Sequence, residues 1–327
     1  MNTKSISSCF SRRSSWSCLL LPVVTTAILV SGLVLGSAIS SRADEAGQAF
    51  GTPEQAVAAL AEAVSNTNRP ALAQLFGSAV EQLVNPDEVQ GASEFGEFAT
   101  AMQSTNRLVH RTDDSYTLLL GANDWPFPIP LVKQANGWRF DTDAGLEELL
   151  DRRIGRNELD VLRVMRAYVQ AQREYASRDR DGDEVLEYAQ QILSSPGKMD
   201  GLYWPLELNG EMSPLGPLIA YAQGEGYTRD ESSPDEPQPF HGYYFKLLTS
   251  QGKNAPGGKY DYVINGNMIG GFALVAWPAE YGESGIMTFI VNQQGRVYQR
   301  DLGANTAKAV KKMKAYDPDK NWQVSAD

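Results

Sequence analysis

Asp179-Arg-Asp181-Gly-Asp183 is the stretch of this sequence best suited to chemistry. Alternate carboxylates at the end of a helix can converge on a hard cation, and calcium is the ion that such oxygen donors take. Glu187 can join from the next turn, so Asp179, Asp181, Asp183 and Glu187 are the expected ligands. No cofactor beyond calcium is expected. The stretch departs from a calcium-binding loop in two places: counted from Asp179, the sixth position is Glu184 instead of glycine, and the twelfth is Gln190 instead of a bidentate Glu. Arg178 and Arg180 are the competing partners for the same carboxylates.

The 2 histidines are His110 and His241, and a metal pair or a serine triad would need them beside carboxylates or hydroxyls in space. His110 falls in an expected strand and reads as a sheet-face residue. His241 follows a proline-rich loop and adjoins Gly-Tyr-Tyr. With Tyr243, Tyr244 and Trp277 it forms the expected ligand-binding group, beside the plainer reading of a structural histidine. The glycines at 257, 258, 266, 270 and 271 are not followed by Gly-Lys-Ser/Thr and read as turns instead of a phosphate loop. No nucleophile and base stand in a recognisable spacing, so no catalytic residue is assigned.

Two successive runs of secondary structure must position these groups. Thr52-Pro53-Glu54-Gln55 opens a helix, with Thr as N-cap, Pro at the first helical position and Gln closing a capping box. Short helices near 71–76 and within 86–102 follow. The period then changes to strands at 108–110, 116–120, 129–132 and 138–140, with Gln134-Ala-Asn-Gly as a hairpin turn. Leu146, Leu149 and Leu150 predict a connecting helix over 142–156 that stops at Gly155. Asn157 is a good N-cap for a second, longer helix, with Glu158 and Asp160 in its first turn and Arg173 and Arg178 near its end, which suits the helix dipole. Leu159, Leu162, Met165 and Val169 make one apolar stripe beside Val161, Val164, Tyr168, Ala171 and Tyr175, an arc wide enough to pack on a sheet. Beyond an exposed loop at 232–239, strands are expected at 243–248, 271–277, 286–291 and 296–300, then a terminal helix over 304–315. The fold class is α+β, with domains over 44–141 and 157–327.

The chain has 327 residues, 29 Lys+Arg against 40 Asp+Glu, and is 42% hydrophobic, enough apolar mass to bury a core. Residues 1–43 carry Lys4, Arg12, Arg13 and Arg42 and no acid. An apolar run over 19–35 is broken by Pro22, Ser31 and Gly32, and Ser41-Arg42-Ala43 offers small residues for cleavage. A signal peptide over 1–43 and a mature chain beginning at Asp44 are expected, with no stable membrane span afterwards. Removal of those four basic residues leaves 25 against 40 acids, a net charge of −15. Both cysteines, Cys9 and Cys18, leave with the leader, which excludes disulfides, thiol catalysis and Cys-ligated zinc from the mature protein. So acidic a surface argues against nucleic acid as a partner.

Trp125-Pro-Phe-Pro-Ile-Pro-Leu-Val, Arg152-Arg-Ile-Gly-Arg-Asn-Glu-Leu, His241-Gly-Tyr-Tyr-Phe and Gly270-Gly-Phe-Ala-Leu-Val-Ala-Trp-Pro together resemble the secreted bacterial family known as domain of unknown function 2950. The resemblance spans nearly the whole mature chain and implies export; it supplies no catalytic residue. Residues 50–141, helices followed by a curled antiparallel sheet, resemble the NTF2-like cone. The second half resembles the globular head of type IV pilins and pseudopilins, through Ala167-Tyr-Val-Gln-Ala-Gln-Arg-Glu-Tyr and Pro278-Ala-Glu-Tyr-Gly-Glu-Ser-Gly, although no apolar assembly helix precedes Asn157. The expected function is that of an exported, non-catalytic interaction module of the periplasm or cell exterior, with an envelope or extracellular protein as partner. The alternative is a small-molecule-binding or hydrolytic protein with its pocket in the N-terminal cone.

Overall fold

Thr52 does cap the first helix: its side chain accepts from the Gln55 N–H at 3.3 Å, while Gln55 Oε1 accepts from the Gly51 N–H at 3.1 Å. A computed structural model describes residues 47–326 apart from 181, 209 and 229–237. The leader over 1–43, Asp181 and most of the loop at 232–239 lie outside the described residues. Among those described, no helix is long and apolar enough to cross a membrane.

Helices α1 (Pro53–Ser65), α2 (Arg69–Phe76), α3 (Val80–Leu83) and α4 (Glu88–Ser104) come first. An antiparallel sheet follows, made of β1 (Asn106–Thr112), β2 (Ser115–Leu120), β3 (Trp125–Pro126), β4 (Leu131–Gln134) and β5 (Gly137–Phe140), in the order β1-β2-β4-β5 with β3 on β2. Leu60, Leu75, Leu118, Leu120 and Leu131 are buried between these helices and strands. The rings of Phe76, Phe98, Phe127 and Phe140 fill the same interior, with neighbouring centroids 5.2–6.5 Å apart.

Helix α5 (Thr142–Tyr175) then runs 34 residues without interruption. The break expected at 155–157 does not form. Gly155 faces solvent with open space where a Cβ would stand, and a glycine in a helix interior costs only about 1 kcal/mol against alanine. Burial on both sides of it outweighs that. Gly145 is packed so closely that a Cβ would lie 2.5 Å from Ile129 Cγ1 in the first core. Beyond Gly155, Val161, Met165, Tyr168, Ala171 and Tyr175 are buried in a second core. Leu159 leaves its expected stripe and is 58% exposed.

The second core lies against β-structure. Helix α6 (Gly216–Glu225) precedes β6 (Tyr243–Leu248), β7 (Ser250–Gln251), β8 (Tyr260–Asp261), β9 (Val263–Ile264), β10 (Asn267–Met268), β11 (Ala273–Pro278), β12 (Met287–Asn292) and β13 (Tyr298–Asp301). Then come α7 (Thr306–Lys312), β14 (Ala315–Tyr316) and β15 (Gln323–Val324). The main sheet is antiparallel, ordered β15-β13-β12-β11-β6; β14-β7-β8 form a second sheet and β9-β10 a hairpin. The Lys246 ammonium on β6 donates to Val310 O and Met313 O at 2.6 and 2.8 Å, holding the end of α7 against the sheet. The terminal helix is shorter than expected because the chain turns into β14, which pairs with β7. The described residues form an α+β fold built on antiparallel sheets, with one parallel pair between β14 and β7.

Burial is the largest influence raising the hydroxyl pKa of Tyr168, Tyr227, Tyr243, Tyr262 and Tyr316 above the ordinary tyrosine value. A pKa raised by folding contributes stability that is complete below the unfolded value of about 10 and is lost as the pH climbs through the folded one. In an alkaline titration the fold is expected to stay intact until the pH passes well above the ordinary tyrosine value of about 10. These buried ones should ionise only in a cooperative step that also abolishes near-ultraviolet dichroism. A smooth ionisation of all 14 tyrosines with the dichroism unchanged contradicts this.

Candidate functional site

His241 sits at the first of two consecutive left-handed positions, with φ +47° there and +70° at Gly242. Phe240 and Tyr243 exchange both backbone hydrogen bonds across them, at 2.9 and 3.1 Å, so Phe240-His-Gly-Tyr243 is a tight reversal before β6. Two positive φ values are what a type I′ turn demands, and Asn-Gly is its usual occupant. For a non-glycine residue the left-handed region costs roughly 1–2 kcal/mol. Gly242 is required on a second count: a Cβ would lie 2.7 Å from Asn157 Nδ2 and 2.8 Å from Ser284 Cβ.

The turn drives the imidazole into a buried polar cluster, where its side chain is only 9% exposed. Gln90 Nε2, on α4, lies 2.8 Å from His241 Nδ1 and donates to Asn157 Oδ1 at 3.1 Å. Asn157, on α5 and 1% exposed, donates from Nδ2 to Ser284 O at 2.9 Å. Glu225 Oε2, at the end of α6, lies 2.9 Å from His241 Nε2. Asp160 Oδ2, one turn along from Asn157, stands 3.3 Å from Nδ1, and its other oxygen is paired with Arg163. Phe240 and Tyr227 flank the ring with centroids at 4.2 and 5.5 Å.

A single backbone carbonyl orients this chain. Ser284 O can only accept, so the Asn157 amide must turn its NH2 there and its oxygen to Gln90. Gln90 then presents its own NH2 to His241. A neutral His241 therefore accepts at Nδ1 and carries its proton on Nε2, donating it to Glu225. Asp87 adds a second tie: it caps α4 by accepting from the Val89 and Gln90 N–H groups at 3.1 Å and accepts from the Tyr227 hydroxyl at 2.7 Å. Burial first, and then the bond to Asp87, raise the Tyr227 pKa. The hydroxyl of Tyr221, on α6, is also raised, first by its hydrogen bond to Glu225.

The cluster thus binds α4 to the segment around His241, 151 residues away in sequence. Both ring nitrogens are engaged by protein groups. His110, by contrast, lies on β1 with its side chain 54% exposed, 3.9 Å from Asp113. The structure separates the expected ligand group. Alternation along β6 sends Tyr243 and Tyr244 to opposite faces: Tyr243 is fully buried and donates to Met287 O at 3.1 Å, while Tyr244 stacks beside Trp277 at 5.6 Å. Gln90, Asn157, Asp160 and Glu225 were invisible as a group in the sequence, where only the i, i+3 spacing of Asn157 and Asp160 marks a shared helix face.

In the acidic loop, Asp179 accepts from the Gly182 and Glu184 N–H groups at 2.7 and 2.9 Å. Asp183 accepts from the Val185 N–H at 2.8 Å and from Asn267 Nδ2 at 2.7 Å, and Glu187 accepts from the Met268 N–H at 2.8 Å. Among the described residues, which omit Asp181, no three His, Cys, Asp or Glu side chains are grouped to hold a metal ion. Asp179→Ala is expected to lower the melting temperature by about 2–4 °C, the equivalent of roughly 1 kcal/mol, equally with calcium or with a chelator. A loss confined to calcium-containing buffer instead makes the loop a cation site. A cavity of about 210 Å³ lies between α1 and α2, lined by Gln48, Glu62, Asn66 and Asn68 among others. Another of about 280 Å³ is lined by Leu162, Arg166, Arg296 and Val324 among others.

The family of proteins of unknown function DUF2950 matches residues 47–325. The chain belongs to that family. His241, its turn and every partner described for it fall inside the matched region of this DUF2950 protein. No curated protein and no solved structure matches the chain significantly.

Proposed function

We propose that this DUF2950 protein is exported and serves, without catalysing a reaction, as an interaction module of the bacterial envelope or cell exterior, its partner another protein there. The observation that carries this reading is a stretch of exposed apolar side chains before α6: Leu206, Leu208 and Met212 are 53%, 38% and 61% exposed on a strongly acidic chain. Contiguous exposed apolar surface marks contact sites, and these three side chains fall within one short segment of the chain. Trp204 anchors the stretch from beneath, buried and covered by the Arg180 guanidinium 5.1 Å from its ring. The commitment of both His241 nitrogens to protein partners supports a scaffold role for that histidine over acid–base work.

The reading includes the finer fold likenesses: an NTF2-like cone for the N-terminal helices and sheet, and a pilin-like head for α5 with the main sheet. The long uninterrupted helix laid on an antiparallel sheet supports the latter. The aromatic rings that fill the N-terminal interior favour packing there over a ligand pocket.

A photo-crosslinking residue at position 208 tests the proposal in the native host. The expected result is one discrete adduct with an envelope or extracellular protein, absent when the same residue stands at Lys253. A partner-free protein, or one retained in the cytoplasm with residues 1–43 intact by mass, overturns it.

A further inference from the structure

His241 Nδ1 faces a donor and an acceptor at once. Gln90 Nε2 lies 2.8 Å from it and Asp160 Oδ2 3.3 Å, so this nitrogen has a partner from α4 for its lone pair and one from α5 for a proton. A neutral ring with its proton on Nε2 can serve only the first. An imidazolium carries N–H on both nitrogens and can serve only the second, since the Gln90 NH2 would then meet Nδ1–H, a donor against a donor.

Gln90 cannot answer by turning over. Its Oε1 accepts from Asn85 Nδ2 at 3.3 Å, and its Nε2 donates to Asn157 Oδ1 as well as to the ring. Asn157 is itself fixed by Ser284 O. A turned Gln90 amide would set oxygen against oxygen at Asn157 and NH2 against NH2 at Asn85, giving up two buried hydrogen bonds to keep one.

The groups around the ring can hold an imidazolium. From α5 comes Asp160, whose other oxygen is paired with Arg163. From α6 comes Glu225, 2.9 Å from Nε2, with the Tyr221 hydroxyl bonded to it. Tyr227 flanks the ring with its hydroxyl on Asp87, the cap of α4. The 280–284 loop lies against Gly242 through Ser284, and its Glu280 and Glu283 are hydrogen-bonded to each other. Two carboxylates therefore touch the imidazole, and the Arg163 guanidinium is spent on one of them. The Glu225 side chain is 30% exposed, which brings solvent to the edge of the cluster.

We propose that His241 is an acid-sensitive latch: a proton taken up at Nδ1 moves that nitrogen's bond from Gln90 on α4 to Asp160 on α5, releasing α4 from the Phe240-His-Gly-Tyr243 turn while Glu225 keeps hold of Nε2. Histidine is the side chain suited to such a role, because it changes charge between about pH 5 and 8.

Nitrogen NMR of the ring, followed across that range together with amide hydrogen exchange, tests the latch. As the ring gains its second proton, the protection factors of the α4 amides near Gln90 should fall about fivefold, the effect of one lost hydrogen bond. Two variants remove the step by different routes. His241→Asn keeps the turn, since Asn-Gly is the usual occupant of its left-handed pair, and has no proton to gain. Gln90→Met keeps the length of the side chain and has no donor to lose. Both should show the lowered protection throughout, with no dependence on the state of the ring. A ring that gains the proton while the α4 protection holds, a ring that stays neutral through the whole range, or a step of unchanged size in His241→Asn overturns the proposal.

Discussion

Asn157→Asp, an exchange of one NH2 for an oxygen, is expected to destabilise the folded protein by about 3–5 kcal/mol. The new oxygen faces Ser284 O, an acceptor against an acceptor, at a site that is 1% exposed. The carboxylate also lies one turn from Asp160, which stands 3.3 Å from His241. Denaturant unfolding of the variant measures the loss. Asn157→Leu should cost somewhat less, about 2–4 kcal/mol, since it strands Ser284 O and the Gln90 amide without adding charge. Nitrogen NMR of the His241 ring offers a separate readout. In the parent protein a neutral ring should carry its proton on Nε2, and in the Leu variant that preference should weaken. An unchanged stability in both variants would show that the Ser284–Asn157–Gln90–His241 chain does not orient the cluster.

Gly285→Ala has an effect of similar size for a steric reason. An added Cβ would fall 2.0 Å from the Tyr243 hydroxyl and 2.4 Å from its Cζ. Tyr243 cannot move aside cheaply: it is 0% exposed, sits beside Glu158 and donates to Met287 O. Overpacking together with a lost buried hydrogen bond is expected to cost about 3–5 kcal/mol. The double variant Gly285→Ala with Tyr243→Phe removes the atom that clashes first. It should lie at least ~1 kcal/mol above the sum of the single changes, the coupling expected of touching residues. Strict additivity in that cycle is the result that would sink the explanation.

Local structure was well marked in the sequence, because caps and turns act over a few residues. Thr52 and Gln55 announced α1, and Gln134 to Gly137 announced the turn between β4 and β5, where Gln134 and Gly137 are register partners. The strands at β6, β11, β12 and β13 were legible from their apolar and aromatic content. Asn157 misled for a physical reason. Two residues after Gly155 and just ahead of Glu158 and Asp160, it has every local property of an N-cap, and only tertiary packing diverts its amide to Gln90 and Ser284. Leu159 misled in the opposite direction: helical period assigned it to an apolar stripe, yet that edge of the arc faces solvent.

The functional cluster was less legible than the fold. Of the aromatic residues expected beside His241, Tyr243 and Tyr244 lie along β6, whose period of two divides them between faces, and Trp277 stands on β11 against Tyr244. The actual partners of His241 come from α4, α5 and α6, at sequence distances where no spacing rule operates. The His-Gly turn was the one local clue, since a left-handed pair ahead of a strand fixes which way the imidazole points.

The unbroken course of α5 has a thermodynamic consequence. Its early turns pack on the first core and its later turns on the second, so neither core can be lost without stripping the shared helix of half its support. Isolated helical segments gain little from propensity alone and depend on tertiary contacts. Melting is therefore communicated along one rod, and the two halves on either side of the middle of α5 should unfold in a single concerted transition, each lending its stability to the other.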